Sequence, residues 1–242
     1  MIKIAVISDI HANLIALNEV LKDIKKRSID QVFCLGDLVD FAPWGNEVIE
    51  LIRDRKVPCL LGNHDERIAY DQPIIPLPHH DLRETVNREK AIKFSKATIS
   101  DDNKKWLAEL PFQFELVFKL GNRFFRILLV HASVTGNDEY IYESDSKDAF
   151  LNIHNCYKPD VVVMGHTHLS YVQYYGEVLF VNCGSVGRSK EKDRKATYTV
   201  LTISKDNIEA EICKIDYPIT DVANAIYKSD IPNFYGDFLM GK

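Results

Sequence analysis

The chain has 242 residues, 46% of them hydrophobic and 27% charged, enough for one large domain that buries about 70–75% of the extended chain's surface. A formal net charge of −5 excludes the basic footprint that duplex DNA or an anionic membrane surface demands. The five cysteines, Cys34, Cys59, Cys156, Cys183 and Cys213, are odd in number and lie mostly in apolar runs, which suits reduced core thiols better than a disulfide frame. No charged leader precedes Ile2 and no apolar run approaches membrane length, so the expectation is an unexported, cytoplasmic protein.

Ile2 to Ile7 is β-branched and reads as a strand that breaks at Ser8-Asp9-Ile10-His11. Leu14, Leu17, Val20, Leu21 and Ile24 then recur at helical spacing up to the basic end Lys25-Lys26-Arg27. The unit repeats: Gln31 to Leu35 is a strand, Gly36-Asp37-Leu38-Val39-Asp40 a loop, and Asn46 to Arg55 a helix with Val48, Leu51 and Ile52 on one face. A third short strand, Cys59 to Leu61, is expected to open onto Gly62-Asn63-His64-Asp65 as a loop. Pro73, Pro76 and Pro78 interrupt regular structure. Helical stretches follow from about Asp81 to Thr98 and from about Asp101 to Leu110, where Pro111 stops the second. Together they predict a small helical cap inserted at about residues 73–110 of a single domain, 1–242.

Beyond Phe112 the pattern is mostly β. Strands are expected at Phe112 to Leu120, Phe124 to Val130, Val161 to Met164, Tyr171 to Tyr175, Val178 to Asn182, Thr197 to Ile203 and Ile208 to Ile215, with a helix near Ser146 to Asn155 and another at about Thr220 to Lys228. Phe234, Tyr235 and Phe238, in the tail from Ile231 to Lys242, read as residues that dock on the body of the protein.

The ends of successive predicted strands carry Asp9 and His11, then Asp37, then Asn63 and His64, then His131, then His166 and His168. Five of the eight histidines thus fall where α/β proteins gather side chains from distant parts of the chain. Taken singly, Asp9-x-His11 and Gly36-Asp37 are ordinary turn residues and His131 an ordinary buried histidine. Two histidines closing an apolar strand, as in Gly165-His166-Thr167-His168, have few packing uses. Carboxylate, imidazole and amide oxygen together suit first-row divalent metals, whereas a structural zinc site would be expected to use thiolates.

These five blocks, Asp9-x-His11, Gly36-Asp37, Gly62-Asn63-His64-Asp65, His131 and Gly165-His166-Thr167-His168, resemble the signature of the calcineurin-like metallophosphoesterase superfamily. The later Asn182-Cys183-Gly184-Ser185-Val186-Gly187 is similar to a further element of its small bacterial and archaeal members. The resemblance implies an α/β fold of four layers, an α-β-β-α sandwich of two mixed sheets flanked by helices. It implies two divalent metal ions, manganese first, with iron, nickel or zinc as alternatives. Asp9, His11, Asp37 and His168 would hold one ion, and Asp37, Asn63, His131 and His166 the other, with Asp37 as the bridge. Two cations about 3.5–4 Å apart would activate a bridging water and clamp phosphoryl oxygens.

In the same scheme His64 is no ligand but the general acid for the leaving oxygen, and Asp40 orients it. Ser/Thr phosphatases of the superfamily follow that aspartate with an arginine; here Phe41 follows, so their bidentate phosphate clamp is missing. A clamp is then sought in Arg188, Lys190, Lys192 or Arg194, or in His79, His80 and Arg83 of the cap, with Arg188, His79 and His80 as the named substrate contacts. The expected activity is hydrolysis of a small phosphodiester, nucleotide or dinucleoside polyphosphate. The expected partner is a small anionic phosphate ester, with neither duplex nucleic acid nor a membrane. A phosphoprotein phosphatase and a non-catalytic binding module on the same fold are the alternatives; Phe41 disfavours the first and the intact residue set the second.

Overall fold

The computed structural model describes residues 1–78, 80–145, 150 and 157–242. Strand β1 (Ile2–Ile7) feeds helix α1 (Leu14–Lys26), whose start is capped by the Asn13 side chain accepting from the Ala16 N–H at 3.0 Å. The second βα unit follows as β2 (Gln31–Cys34) and α2 (Gly45–Asp54). Helices α3 (Asn63–Ala69), α4 (Leu82–Thr98) and α5 (Asp101–Ala108) come next. Asp81 and Glu84 start α4 with a reciprocal capping box. The remaining strands are β3 (Gln113–Leu120), β4 (Arg123–Val130), β5 (Val161–Met164), β6 (Tyr171–Tyr175), β7 (Val178–Asn182), β8 (Ala196–Ile203) and β9 (Ile208–Ile215), and helices α6 (Ile219–Tyr227) and α7 (Asn233–Leu239) end the chain.

Two mixed sheets result, ordered β2-β1-β8-β9 and β3-β4-β5-β7-β6. In the first, β1 and β2 are parallel; in the second, β4, β5 and β7 are parallel. Strand alternation separates three apolar layers. Ile4 and Val6 of β1 meet Phe125, Ile127 and Leu129 of β4 in the layer between the sheets. Ala5 and Ile7 face the other way, toward Leu17 and Val20 of α1, Ile49 of α2 and Ile92 of α4. On the far side Leu128, Val130, Val162 and Met164 pack with Ile141 and Phe150. Among the described residues no helix is long and apolar enough to cross a membrane.

Two local expectations change. Cys59 to Leu61 forms only an isolated bridge, Cys34 with Cys59, because the extended segment is too short to continue the ladder. Gly62-Asn63-His64-Asp65 is not a loop but the start of α3: the Asp65 carboxylate accepts the Gly62 N–H at 3.2 Å and the Leu38 N–H at 2.8 Å, so this acid three residues after the cap nucleates the helix and ties it to the β2 loop. The helix expected near Ser146 to Asn155 lies outside the described residues apart from Phe150. Within residues 73–110, α4 packs Ala91 and Ile92 into the layer it shares with α1 and α2, while Leu77, His80, Glu84 and Arg88 reach the cleft described next.

Candidate metal centre

Strands β1, β2, β4 and β5 deliver their C-terminal loops to one edge of the sandwich. Asp9, His11 and His168 form one buried group there, and Asp37, His131 and His166 a second, the ligand atoms of each group lying within 4.8 Å of one another. Oδ2 of Asp37 is 3.5 Å from Nε2 of His131 and 3.7 Å from Nε2 of His11, so this one oxygen touches both groups. Asn63, in the first turn of α3, brings Oδ1 to 3.2 Å from Nε2 of His131. The structure therefore gathers all seven residues that the sequence nominates as ligands, and places Asp37 between the two groups.

The backbone under these side chains is unusual. Asp9, His11, Asp37, His166 and His168 all have positive φ, between 48° and 63°. Each costs about 1 kcal/mol or more for a residue with a Cβ, although Asp and His tolerate the region better than most. Summed over five residues the cost rivals the net stability of a domain, so the surroundings must over-determine these loops. Close backbone contact does this. At Gly36, with φ of 99°, a Cβ would lie 2.3 Å from the Gly62 nitrogen; at Gly62 a Cβ would lie 2.2 Å from the Asp37 nitrogen. Only glycine at both positions lets the β2 loop and the start of α3 touch.

Hydrogen bonding aims the donor atoms inward. Nδ1 of His11 contacts the Val39 carbonyl at 2.9 Å, Nδ1 of His131 the Leu35 carbonyl at 3.0 Å, and Nδ1 of His168 the Arg188 carbonyl at 2.8 Å. A carbonyl can only accept, so each Nδ1 carries a hydrogen and each Nε2 in the neutral ring presents a lone pair. Nε2 of His11 and Nε2 of His168 then face each other at 3.0 Å, lone pair to lone pair, an arrangement that a cation would relieve. The carboxylates are divided in the same way. Oδ2 of Asp9 accepts the His166 N–H at 2.9 Å and Oδ1 of Asp37 the His64 N–H at 2.8 Å. Oδ1 of Asp9, Oδ2 of Asp37 and Nε2 of His166 are buried without a hydrogen-bond partner. Orphaned acceptors at this density are costly unless a cation joins them, so the residues present fit a pair of divalent metal ions.

The electrostatics agree for three of the four imidazoles, and a cation would have to displace the proton from the fourth. Burial pushes the imidazoles of His11 and His168 below the ordinary histidine range and that of His166 to about 3, leaving neutral rings able to ligate. For His131 burial acts in the same direction, but the Asp37 carboxylate outweighs it and the value rises to about 9. Burial opposes the charge on Asp9 and Asp37 too; the imidazoles around them, of which His131 is the one that keeps its charge, overcome it and keep both carboxylates ionised.

His64 belongs to neither group. Its Nδ1 lies 2.5 Å from Oδ2 of the buried Asp40, its ring centroid is 5.1 Å from that of His11, and burial holds its pKa well below the usual value. Asp40 is raised to about 6, chiefly by burial. Beside His64 opens a cleft of about 300 Å³ lined by Asp37, His166 and His168, by Arg88, Arg188 and Lys190, and by Phe41, Tyr140, Tyr142 and the α7 aromatics Phe234, Tyr235 and Phe238. Arg188 and His80, both nominated from sequence, line this cleft; His79 lies outside the described residues. Arg194 lies against Phe238, and Arg83 against Phe234. Sequence reasoning missed Arg88, Tyr140, Tyr142 and the α7 wall. The available signal for the wall was three aromatics within five residues of a short tail, Phe234 to Phe238.

Residues 2–206 match the sequence model of the calcineurin-like phosphoesterase superfamily domain. An uncharacterized protein of Methanocaldococcus jannaschii is 30% identical over 98% of this chain and 96% of its own length. Among solved structures, a metallophosphoesterase from Sphaerobacter thermophilus superposes with a TM-score of 0.76 at 22% identity, over 99% of this chain and 98% of that one. A hypothetical protein from Pyrococcus horikoshii does so with a TM-score of 0.82 at 20% identity, over the same shares, 99% and 98%. At these identities the structural likeness speaks for the fold, a sandwich of two mixed sheets flanked by helices.

Proposed function

The chain belongs to the calcineurin-like phosphoesterase superfamily and is a metal-dependent hydrolase of phosphate esters, and from that premise we propose that its substrates are small polyanionic phosphodiesters, nucleotides or dinucleoside polyphosphates. One observation carries this reading: a cleft of about 300 Å³ joins both groups of ligands to three cationic side chains, Arg88, Arg188 and Lys190, against one further carboxylate, Glu84, in a chain of net charge −5. Concentrated positive charge in an acidic protein favours a compact ligand with several negative charges. The aromatic walls suit a flat heterocycle better than an extended peptide. Phe41, where a protein phosphatase of the superfamily would carry arginine, supports the same choice.

In this proposal Asp9, His11, Asp37 and His168 would hold one divalent ion and Asp37, Asn63, His131 and His166 the other, a nitrogen and oxygen donor set open to manganese, iron, nickel or zinc, of which manganese is the one we propose. When bound, such ions polarise the phosphoryl group and lower the pKa of a water. The protein's own groups do the rest. His64 delivers a proton from Nε2 to the departing oxygen. Asp40 accepts from Nδ1, fixes the tautomer and supports the charged ring once an anionic ester beside it offsets the burial that keeps His64 neutral. Arg188, with His80, Arg88 and Lys190 around the rim, takes the charge that the metals do not. The four described cysteines, Cys34, Cys59, Cys183 and Cys213, are free and buried, which supports a reducing, cytoplasmic setting.

The test is a turnover panel with Mn²⁺: aryl phosphates, aryl phosphodiesters, nucleotides, dinucleoside polyphosphates and a phosphopeptide. The small polyanions are expected to exceed the phosphopeptide in kcat/KM by about 10-fold or more, one missing charged contact being worth that much. Arg188→Ala should raise KM for polyphosphates while barely moving it for aryl monoesters, whose only phosphate sits on the metals. A preference for the phosphopeptide, or an equal effect of Arg188→Ala on both classes, would overturn the reading.

A further inference from the structure

Arg188 is held in an unusual way. Its Cζ lies 4.6 Å from the ring centroid of Phe41, 4.5 Å from that of Phe238 and 5.5 Å from that of Tyr235. Phe41 and Tyr235 stack on each other at 4.6 Å with 30° between the planes. Phe238 is shared, because Cζ of Arg194 approaches its ring at 4.0 Å. Among the described residues no carboxylate pairs with Arg188, and its Nε is buried without a hydrogen-bond partner. A guanidinium boxed by rings, sharing its cleft with Glu84 but paired with no carboxylate at ion-pair distance, is set up to receive an anion from a ligand, since the rings satisfy none of its N–H donors as an anion would.

Its distance from the chemistry is one ring. The Phe41 centroid is 4.8 Å from that of His11 and 5.0 Å from that of His64. The Arg188 backbone is already fixed, because its carbonyl orients His168 and its N–H donates to Oγ of Ser185 at 2.8 Å. What stays free is the side chain, and two of the three rings that confine it come from α7, which lies beyond the family-matched residues 2–206.

We propose that α7 is a specificity element: Phe238 and Tyr235, with Phe41, hold the Arg188 guanidinium ready for a phosphate other than the one on the metals, so that the C-terminal helix selects ligands with linked phosphates. Phe238 is in this account a positioning residue that acts through Arg188. The inference rests on the reading of Arg188 as a substrate contact. Confining an arginine before binding removes an ordering cost otherwise met on association, worth roughly 3–10-fold in affinity.

The experiment measures, by titration calorimetry on the full Mn²⁺-loaded protein, the Kd of inorganic triphosphate and of inorganic phosphate. Arg188→Ala should weaken triphosphate about 10-fold and leave phosphate nearly unchanged. Phe238→Leu, which keeps the bulk but removes the π face, should weaken triphosphate roughly 3–10-fold and also spare phosphate. Phe238→Tyr should restore binding to within about 2-fold of the parent, and Phe238→Leu combined with Arg188→Ala should be no worse than Arg188→Ala alone. If Phe238→Leu does not fold, Phe238→Met serves as the same probe. Loss of triphosphate binding in Arg188→Ala but not in Phe238→Leu would overturn the positioning role and leave the substrate reading standing. Additive losses, or equal weakening of phosphate, would overturn it as well, since Phe238 would then act elsewhere. No effect of Arg188→Ala on triphosphate would overturn both the inference and the substrate contact beneath it.

Discussion

The floor of the cleft and its α7 wall are built by different means. On the floor, backbone binds backbone across loops far apart in sequence: Asp9 N–H to the Gly36 carbonyl at 3.0 Å, His11 N–H to Asp37 at 2.9 Å, Gly165 N–H to His131 at 2.9 Å and Gly187 N–H to Asp9 at 3.0 Å. Those bonds hold five of the candidate ligand residues in the left-handed region, where few other sequences would remain. The wall is a seven-residue helix joined to the body by the buried side chains of Tyr235 and Leu239, by ring stacking and cation–π contacts, and by one side-chain bond, Tyr227 to Asp237 at 2.9 Å. In the proposed function, chemistry that tolerates little displacement would sit on the part fixed by backbone bonds, and selection among ligands on side chains of the wall, of which Phe238 is exchanged with less disturbance than the buried Tyr235. Changes to the floor are accordingly expected in metal content and kcat, and changes to the wall in KM or Kd.

The largest effect should come from the oxygen that both groups share. Asp37→Asn removes the negative charge between them, so both metals should weaken and activity fall by more than the about 10²–10⁴-fold that a single placed acid contributes. Metal analysis and kcat together check this; retention of two tight metals with full activity would dissolve the distinction between floor and wall. Next comes His64→Ala. It should leave the metals bound and lower kcat by about 10²–10⁴-fold for an alkyl leaving group, and by much less for nitrophenolate, which departs unprotonated. Loss of metal, or equal slowing of good and poor leaving groups, would make His64 part of the ligand set instead. Asp40→Asn should follow the same pattern more mildly, about 10–100-fold, because the ring remains while the group that fixes its tautomer weakens.

The two regions also differ in how far the sequence reveals them. The floor is legible because apolar strands end abruptly in Asp9-Ile10-His11, Gly36-Asp37, His131 and Gly165-His166-Thr167-His168, and parallel neighbours must bring such ends to one edge. The left-handed backbone there is not legible, since Asp and His carry no mark of φ. Nor is the helical start at Asn63, where Gly-Asn imitates a turn and only the contact of Asp65 with Leu38 decides for a helix. The wall is hidden for a different reason. Phe234, Tyr235 and Phe238 span too little chain to display a period, and their docking surface, Arg188 and Phe41, is far away in sequence. Tyr140 and Tyr142 lie in an irregular segment whose placement depends on the fold as a whole.

Whether two divalent ions share Asp37 is decided by anomalous diffraction from crystals grown with Mn²⁺. Two manganese peaks are expected, one among Asp9, His11 and His168 and one among Asp37, Asn63, His131 and His166, with an oxygen of Asp37 bound to both. A single peak at saturating Mn²⁺, or two ions with no ligand in common, would contradict that sharing.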